Sequence, residues 1–193
     1  VTASTPSIPA EKIIMSRHDL VTRHGAVTFL GNPLTLVGAE VAVGSPAPDF
    51  DIVAFENGAM NHIRKADLLG KPAFISVVPS LDTPVCQVQT KTFNQKLAAL
   101  GDKITALTVS LDLPFAMSRF CGAEAITSMR SGSDYMDRSF GEHWGVLIDE
   151  LKILARAVFV LDAQGVVRYA QVVTEVASEP DYDAALAALE KLV

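Results

Sequence analysis

The stretch "PAFISVVPSLDTPVCQVQTKTFNQKLAALGDKITALTVSLD", residues 72–112, sets two continuous apolar runs on either side of a helical segment. The runs, 72–79 and 104–112, lack the polar alternation of a half-exposed strand and read as strands covered on both faces. Between them, Thr83 is a favoured N-cap, Pro84 a favoured first helical residue and Gly101 a good residue just past a helix end. Those signals predict a helix over 83–101. Two buried strands joined by a helix form a β-α-β unit, which makes the strands parallel.

The flanking sequence extends this unit into a mixed sheet. "GAVTFLGNPLTLVG" (25–38) alternates apolar and polar residues around Gly31-Asn32, a hairpin signal. "VGSPAPDF" (43–50) is a proline-containing connector, and "FDIVAF", "ENG" and "AMNHI" predict a second hairpin. A short helix starts at Pro114 and stops near Gly122. "RAVFVLDAQGVVRYAQVV" (156–173) is a strand, a turn around Asp162 to Gly165 and a strand, and "PDYDAALAALEKLV" is a closing helix. The expected fold is α/β: a thioredoxin-like fold with a mixed central sheet flanked by helices and an added N-terminal β-hairpin. Residues 25–193 are read as one domain. Residues 1–24 are read as an N-terminal extension, flexible or partly foreign to the natural chain, with Met15 a candidate natural start.

Composition narrows the function classes. With 193 residues, 49% hydrophobic and 20% charged, the chain can build one substantial core. A net charge of −6 with no Lys/Arg-rich run argues against nucleic acid or an anionic membrane as partner. No apolar run approaches the roughly 18 residues of a membrane span, and no secretory leader is visible, so the expected location is cytoplasmic. Two cysteines do not make a disulfide scaffold. In a reducing compartment such a pair reads as redox-active or inert.

Cys86 occupies the third helical position after the Thr83 cap. At 3.6 residues per turn it shares a stripe with Phe93, Leu97 and Leu100, which turns the sulfur toward the sheet. The unpaired N–H groups and positive dipole end of a first turn favour an anion there. A dipole contribution of about 0.3–1 kcal/mol does not by itself ionise a thiol at neutral pH, so a cation and direct hydrogen bonds are needed. The Thr83 hydroxyl is one candidate donor. Arg156, at the mouth of "AVFVL", is a candidate cation, because an arginine beside a buried strand needs a compensating anion. The competing reading of Cys86 is a small core hydrophobe.

"PSLDTPVC" resembles the peroxiredoxin active-site pattern Pro-x-x-x-Thr-x-x-Cys on Pro79, Thr83 and Cys86. "DLPFAMSRFCG" (112–122) is similar to the second-cysteine segment of the thiol peroxidases, the atypical two-cysteine subfamily of peroxiredoxins. "LARAVFVLD" is similar to the segment holding that family's catalytic arginine, here Arg156. The likeness runs from about Gly25 to the C-terminus and includes "GNPLTL" and "EPDYDAAL".

This resemblance implies a thiol-dependent peroxidase of antioxidant defence, reducing hydrogen peroxide and alkyl or lipid hydroperoxides. It makes Cys86 the peroxidatic cysteine and Cys121 the resolving cysteine of an intramolecular disulfide. Thioredoxin would be the reductant and a homodimer the assembly. Thr83 and Arg156 would orient the peroxide, Pro79 would shield the pocket, and no cofactor or metal would be required.

Local physics assigns the cysteines the same way. Cys121 falls at a helix C-terminus, where the dipole disfavours a thiolate, although Arg119 blurs the contrast. Each cysteine follows a strand in β-α-β-α order, which is expected to bring both to the carboxyl edge of one sheet. The family's cycle further implies that both segments unwind locally before the disulfide closes.

Other readings carry less. With 34 residues between the cysteines there is no Cys-x-x-Cys motif, which disfavours a disulfide oxidoreductase. A redox switch using the same disulfide is a rival that turnover would separate from an enzyme. His18, His24, His62 and His143 are scattered and form no metal-ligand pattern. Phe140 and Trp144 read as core or interface aromatics, and Phe115 and Phe120 as ordinary packing residues.

Overall fold

The computed structural model describes residues 20–193; most of the N-terminal extension, with Met15 and His18, lies outside them. The central sheet has seven strands. Its middle is the predicted β-α-β unit: β5 (Ala73–Val77), α1 (Pro84–Leu97) and β6 (Thr105–Ser110), with β5 parallel to β6. The helix is shorter than the 83–101 expectation. After Leu97 the chain tightens into a 3-10 segment, Ala98–Lys103, inside which Gly101 takes φ 47°.

Around this unit stand β3 (Asp51–Glu56), β4 (Ala59–Arg64), β7 (Arg130–Ser133), β9 (Ala157–Leu161) and β10 (Val167–Val172). The strand order is β10-β9-β5-β6-β7-β3-β4, with β5, β6 and β7 parallel and the flanking strands antiparallel. The expected mixed sheet is therefore present. The β3–β4 hairpin turns on Asn57-Gly58, both at positive φ, as its "ENG" sequence predicts.

The N-terminal hairpin consists of β1 (Thr22–Phe29) and β2 (Asn32–Val37). Its two-residue loop is Leu30-Gly31, one residue earlier than read, because Phe29 pairs directly with Asn32. A short strand, β8 (Leu147–Ile148), joins β2 to complete a separate three-stranded sheet.

Alternation along β5 sorts the core into two layers. Phe74 and Val78 face α1, α2 (Pro114–Ala123) and α4 (Tyr182–Glu190), in a cluster that includes Cys86, Phe93, Met117 and Leu189. Ala73, Ile75 and Val77 face the other way, toward the three-stranded sheet and α3 (Ser139–His143). There Phe140 and Trp144 stack with ring centroids 4.8 Å apart and are core aromatics, as expected. In the other layer Phe120 of α2 is buried, but Phe115 of the same helix is 56% exposed and packs on Phe55.

Candidate active site

The first turn of α1 forms as its sequence dictates. Thr83 is the N-cap with extended backbone (φ −108°, ψ 146°), Pro84 is the first helical residue, and the Gln87 amide donates to the Thr83 carbonyl at 3.0 Å. Cys86 is 0% exposed and packs against the Phe74–Val78 face of the sheet. Pro79, just beyond β5, is buried in the loop that leads to this turn.

Arg156 reaches the sulfur from the other side. It directly precedes β9 and is 2% exposed, an unusual degree of burial for a guanidinium. Its Nη2 donates to Cys86 Sγ at 3.4 Å, its Nη1 to Gln89 Oε1 at 2.6 Å and its Nε to the Val176 carbonyl at 3.1 Å. Among the described residues no carboxylate forms an ion pair with it. A buried cation requires an anion or full hydrogen bonding, and of the three described groups that accept from it the one able to become anionic is the Cys86 sulfur.

Gln89 completes the arrangement and was not singled out by the sequence. It lies three residues after Cys86, on the same face of α1. Its amide nitrogen donates to Ser76 Oγ at 2.8 Å and to the Val77 carbonyl at 3.4 Å, which leaves the oxygen to accept from Arg156. The side chain is thereby fixed, and the guanidinium with it.

Thr83 corrects one expectation. Its hydroxyl donates to the Ser80 carbonyl at 3.0 Å, not to the sulfur, and makes no side-chain cap of the helix. The Thr83 amide donates to the same carbonyl, so the residue closes a tight turn over 80–83. Its exposed oxygen keeps acceptor capacity toward the solvent side of the first turn.

Cys121 is placed differently. It lies in the last turn of α2, seven residues past Pro114 and thus about 10 Å along the helix axis. The expectation that both cysteines sit at the carboxyl edge of the sheet therefore holds for Cys86 only. Cys121 is half-buried, packs at the border of the cluster that holds Cys86, and hydrogen-bonds Ser131 of β7. Burial pushes its thiol pKa up, with the Ser131 hydrogen bond opposing. Both cysteines are free thiols.

The remaining polar candidates are occupied elsewhere. His24 pairs with Thr35, His62 with Asp51, and His143 with the Asp49 carbonyl. Among the described residues no group of three potential ligands is arranged to hold a metal ion. A groove of about 540 Å³ lies at the opposite end of β6 and β7, around Thr105 and Arg130, and contains neither cysteine. No helix among the described residues is long and apolar enough to cross a membrane.

Known proteins share this arrangement of elements. Residues 42–186 match the family model described as Redoxin. The chain is 48% identical over 167 residues to a thiol peroxidase of Bacillus subtilis, covering 86% of this chain and 98% of that protein. It is 47% identical over 165 residues to a thiol peroxidase of Streptococcus sanguinis, covering 86% and 99%. Among solved structures, a peroxiredoxin-like protein from Aquifex aeolicus superposes with TM-score 0.79 at 39% identity over 90% of this chain and 99% of that one. A thiol peroxidase from Chromobacterium violaceum shares the fold with TM-score 0.74 at 19% identity, over 86% and 95%. With a buried cysteine held against a buried arginine on a thioredoxin-like sheet, and with relatives this similar over nearly their whole length, the chain belongs to the Redoxin family as a peroxiredoxin-type thiol peroxidase.

Proposed function

We propose that the protein reduces hydrogen peroxide and alkyl or lipid hydroperoxides in a reducing cytoplasm, using Cys86 as peroxidatic and Cys121 as resolving cysteine. The observation that carries this reading is the 3.4 Å contact between Arg156 Nη2 and Cys86 Sγ, with no comparable cation contact at Cys121 among the described residues. One sulfur accepts from a guanidinium, and burial raises the pKa of the other.

In the first step the Cys86 thiolate attacks the terminal oxygen of the hydroperoxide. The O–O bond breaks, an S–O bond forms, and the departing alkoxide or hydroxide takes a proton to leave as alcohol or water. Arg156 and the Thr83 oxygen orient the peroxide, and the guanidinium stabilises the charge that moves onto the departing oxygen. Pro79 walls the site against bulk water. In the second step the Cys121 thiol condenses with the Cys86 sulfenic acid, forming the disulfide and releasing water. A dithiol protein, thioredoxin by family likeness, restores both thiols by exchange and is itself oxidised. No cofactor or metal enters this cycle, and a homodimer is the assembly that the family likeness favours.

The test is to add one equivalent of peroxide to reduced protein and map its peptides without reductant. A Cys86–Cys121 crosslink within one chain, followed by many turnovers once thioredoxin and its reductase are supplied, is the expected result. Two free thiols after peroxide would remove the cycle, and a single turnover despite reductant would indicate a switch.

A further inference from the structure

Asp112 lies two residues past the end of β6 and leads into α2. Its carboxylate accepts hydrogen bonds from Ser80 Oγ at 2.8 Å, from the Leu81 amide at 2.7 Å and from Ser110 Oγ at 2.9 Å. Ser80 and Leu81 lie between Pro79 and Thr83, in the loop that feeds α1 and Cys86. Asp112's own backbone feeds α2 and Cys121, and its carbonyl accepts from Ser133 Oγ of β7. One side chain thus ties together the two segments that bear the cysteines. Bonds to an ionised acceptor are the stronger kind, and here three converge on one carboxylate.

These segments must separate from their present positions for the two sulfurs to bond. Gln89 anchors the first half of α1 over β5, whereas Cys121 lies beside Ser131 of β7. With β6 between them, two strand spacings put about 9–10 Å between those anchor lines. A disulfide holds its Cα atoms within about 7 Å. Cys86 is also fully covered, so a bulky reagent reaches it only when its segment opens.

We propose that Asp112 is a positioning residue: a latch that holds the loop before α1 and the loop before α2 closed upon each other, and whose release sets how often the two cysteine-bearing segments open. The latch itself concerns the reduced protein. Its consequence, a rate set for closure of the Cys86–Cys121 bond, rests on the cycle proposed above.

The test separates the two. Reduced protein is labelled with a neutral, bulky maleimide, and the rates at Cys86 and Cys121 are read separately by peptide mass spectrometry in wild type, Asp112→Ala and Asp112→Asn. Asn keeps the side-chain shape but replaces one acceptor oxygen with a donor, so it supplies the answer if the alanine variant fails to fold. Both cysteines should label about tenfold faster in the variants, equivalent to about 1.4 kcal/mol in the opening equilibrium. A Val167→Ala variant, which opens a cavity in the opposite core layer, controls for general destabilisation and should label at wild-type rates under native conditions.

Unchanged labelling in both Asp112 variants, acceleration at one cysteine alone, or equal acceleration in Val167→Ala would overturn the latch. In the same variants, disulfide formation after one equivalent of peroxide should rise by a similar factor, with less sulfinic acid at excess peroxide. Faster labelling without any disulfide in any variant would leave the latch standing and sink the proposed cycle instead.

Discussion

Arg156 and Gln89 form a fixed pair, with Nη1 2.6 Å from Oε1, and this pair decides where the second guanidinium nitrogen points: at Cys86 Sγ. Gln89 spends both its amide protons on Ser76 and Val77, so it offers Arg156 only its oxygen. The geometry around the sulfur therefore depends on a neutral residue whose own hydrogen bonds go to Ser76, Val77 and Arg156.

Two substitutions follow from that dependence. Arg156→Lys keeps the charge but loses the fork that contacts Gln89 and Cys86 at once, and the second-order rate with peroxide should fall about 100-fold or more. Gln89→Leu keeps the charge and the fork but leaves a buried N–H unpaired, and should cost roughly tenfold in rate together with about 1–3 kcal/mol of stability. Stopped-flow rates and urea midpoints check both. A near-normal rate for Arg156→Lys would remove the guanidinium from the chemistry.

The cysteine variants separate the two half-reactions of the proposed cycle. Cys86→Ser should abolish peroxide consumption. Cys121→Ser should still consume one equivalent and leave a sulfenic acid on Cys86 that a dimedone-type probe captures, with turnover by thioredoxin lost. Equal single-turnover rates in wild type and Cys86→Ser would contradict the assignment of Cys86 as the attacking sulfur.

Which of these features the sequence revealed depends on how local each one is. Thr83 at the N-cap position, Pro84 and the stripe of Cys86, Phe93 and Leu97 are set within a few residues, and the structure places them as read; Leu100, read on the same stripe, falls in the 3-10 segment and is only partly buried. Gln89 escaped because glutamine in a helix ordinarily faces water. It is buried here because Ser76 and Val77 of β5, and Arg156 just before β9 and 67 residues later, take up its polar atoms. Asp112 escaped for a similar reason, since an aspartate after a strand reads as a turn residue and its partners Ser80 and Leu81 lie about thirty positions earlier.

Strand β7, "RSGS", was unreadable because it carries no apolar alternation. Its Gly132 is buried where the Ile52 side chain crosses, leaving no room for a side chain of its own. The displacement of Cys121 from the sheet's carboxyl edge was a matter of length: the helix that carries it runs back along the sheet for seven residues before reaching it.

Asp134 should make stability depend on pH in the near-neutral range. Burial is the main cause that raises its pKa from 3.8 to about 7, with Glu142 and Asp137 adding to the rise and the Gly141 and Phe140 amides opposing it. Between pH 4 and 7 the unfolded chain loses this proton while the folded chain keeps it. Stability from this group therefore falls as pH rises through that window. The wild type should lose stability relative to Asp134→Asn between pH 4.5 and pH 8, as read from urea midpoints. A difference between the two proteins that is the same at both pH values would show that Asp134 ionises alike in the folded and unfolded chains.

Glu175 should act in the opposite sense and at lower pH. Its carboxylate accepts from the Ala177 and Gly31 amides, the Thr28 hydroxyl and the Leu30 amide, fastening the β1–β2 turn to the segment after β10. These bonds, that from Ala177 foremost, pull its pKa from 4.5 down to about 2. A carboxylate favoured in the folded state stabilises it fully above the unfolded pKa near 4.5, and that stabilisation is lost as pH falls from there toward 2. Glu175→Gln offers only one acceptor oxygen and no charge, so it should melt below the wild type at pH 6. The gap in melting temperature should then close as pH approaches 2. A gap that persists undiminished at pH 2 would mean that the turn is held by packing alone, and that the ionised carboxylate is not what docks the hairpin.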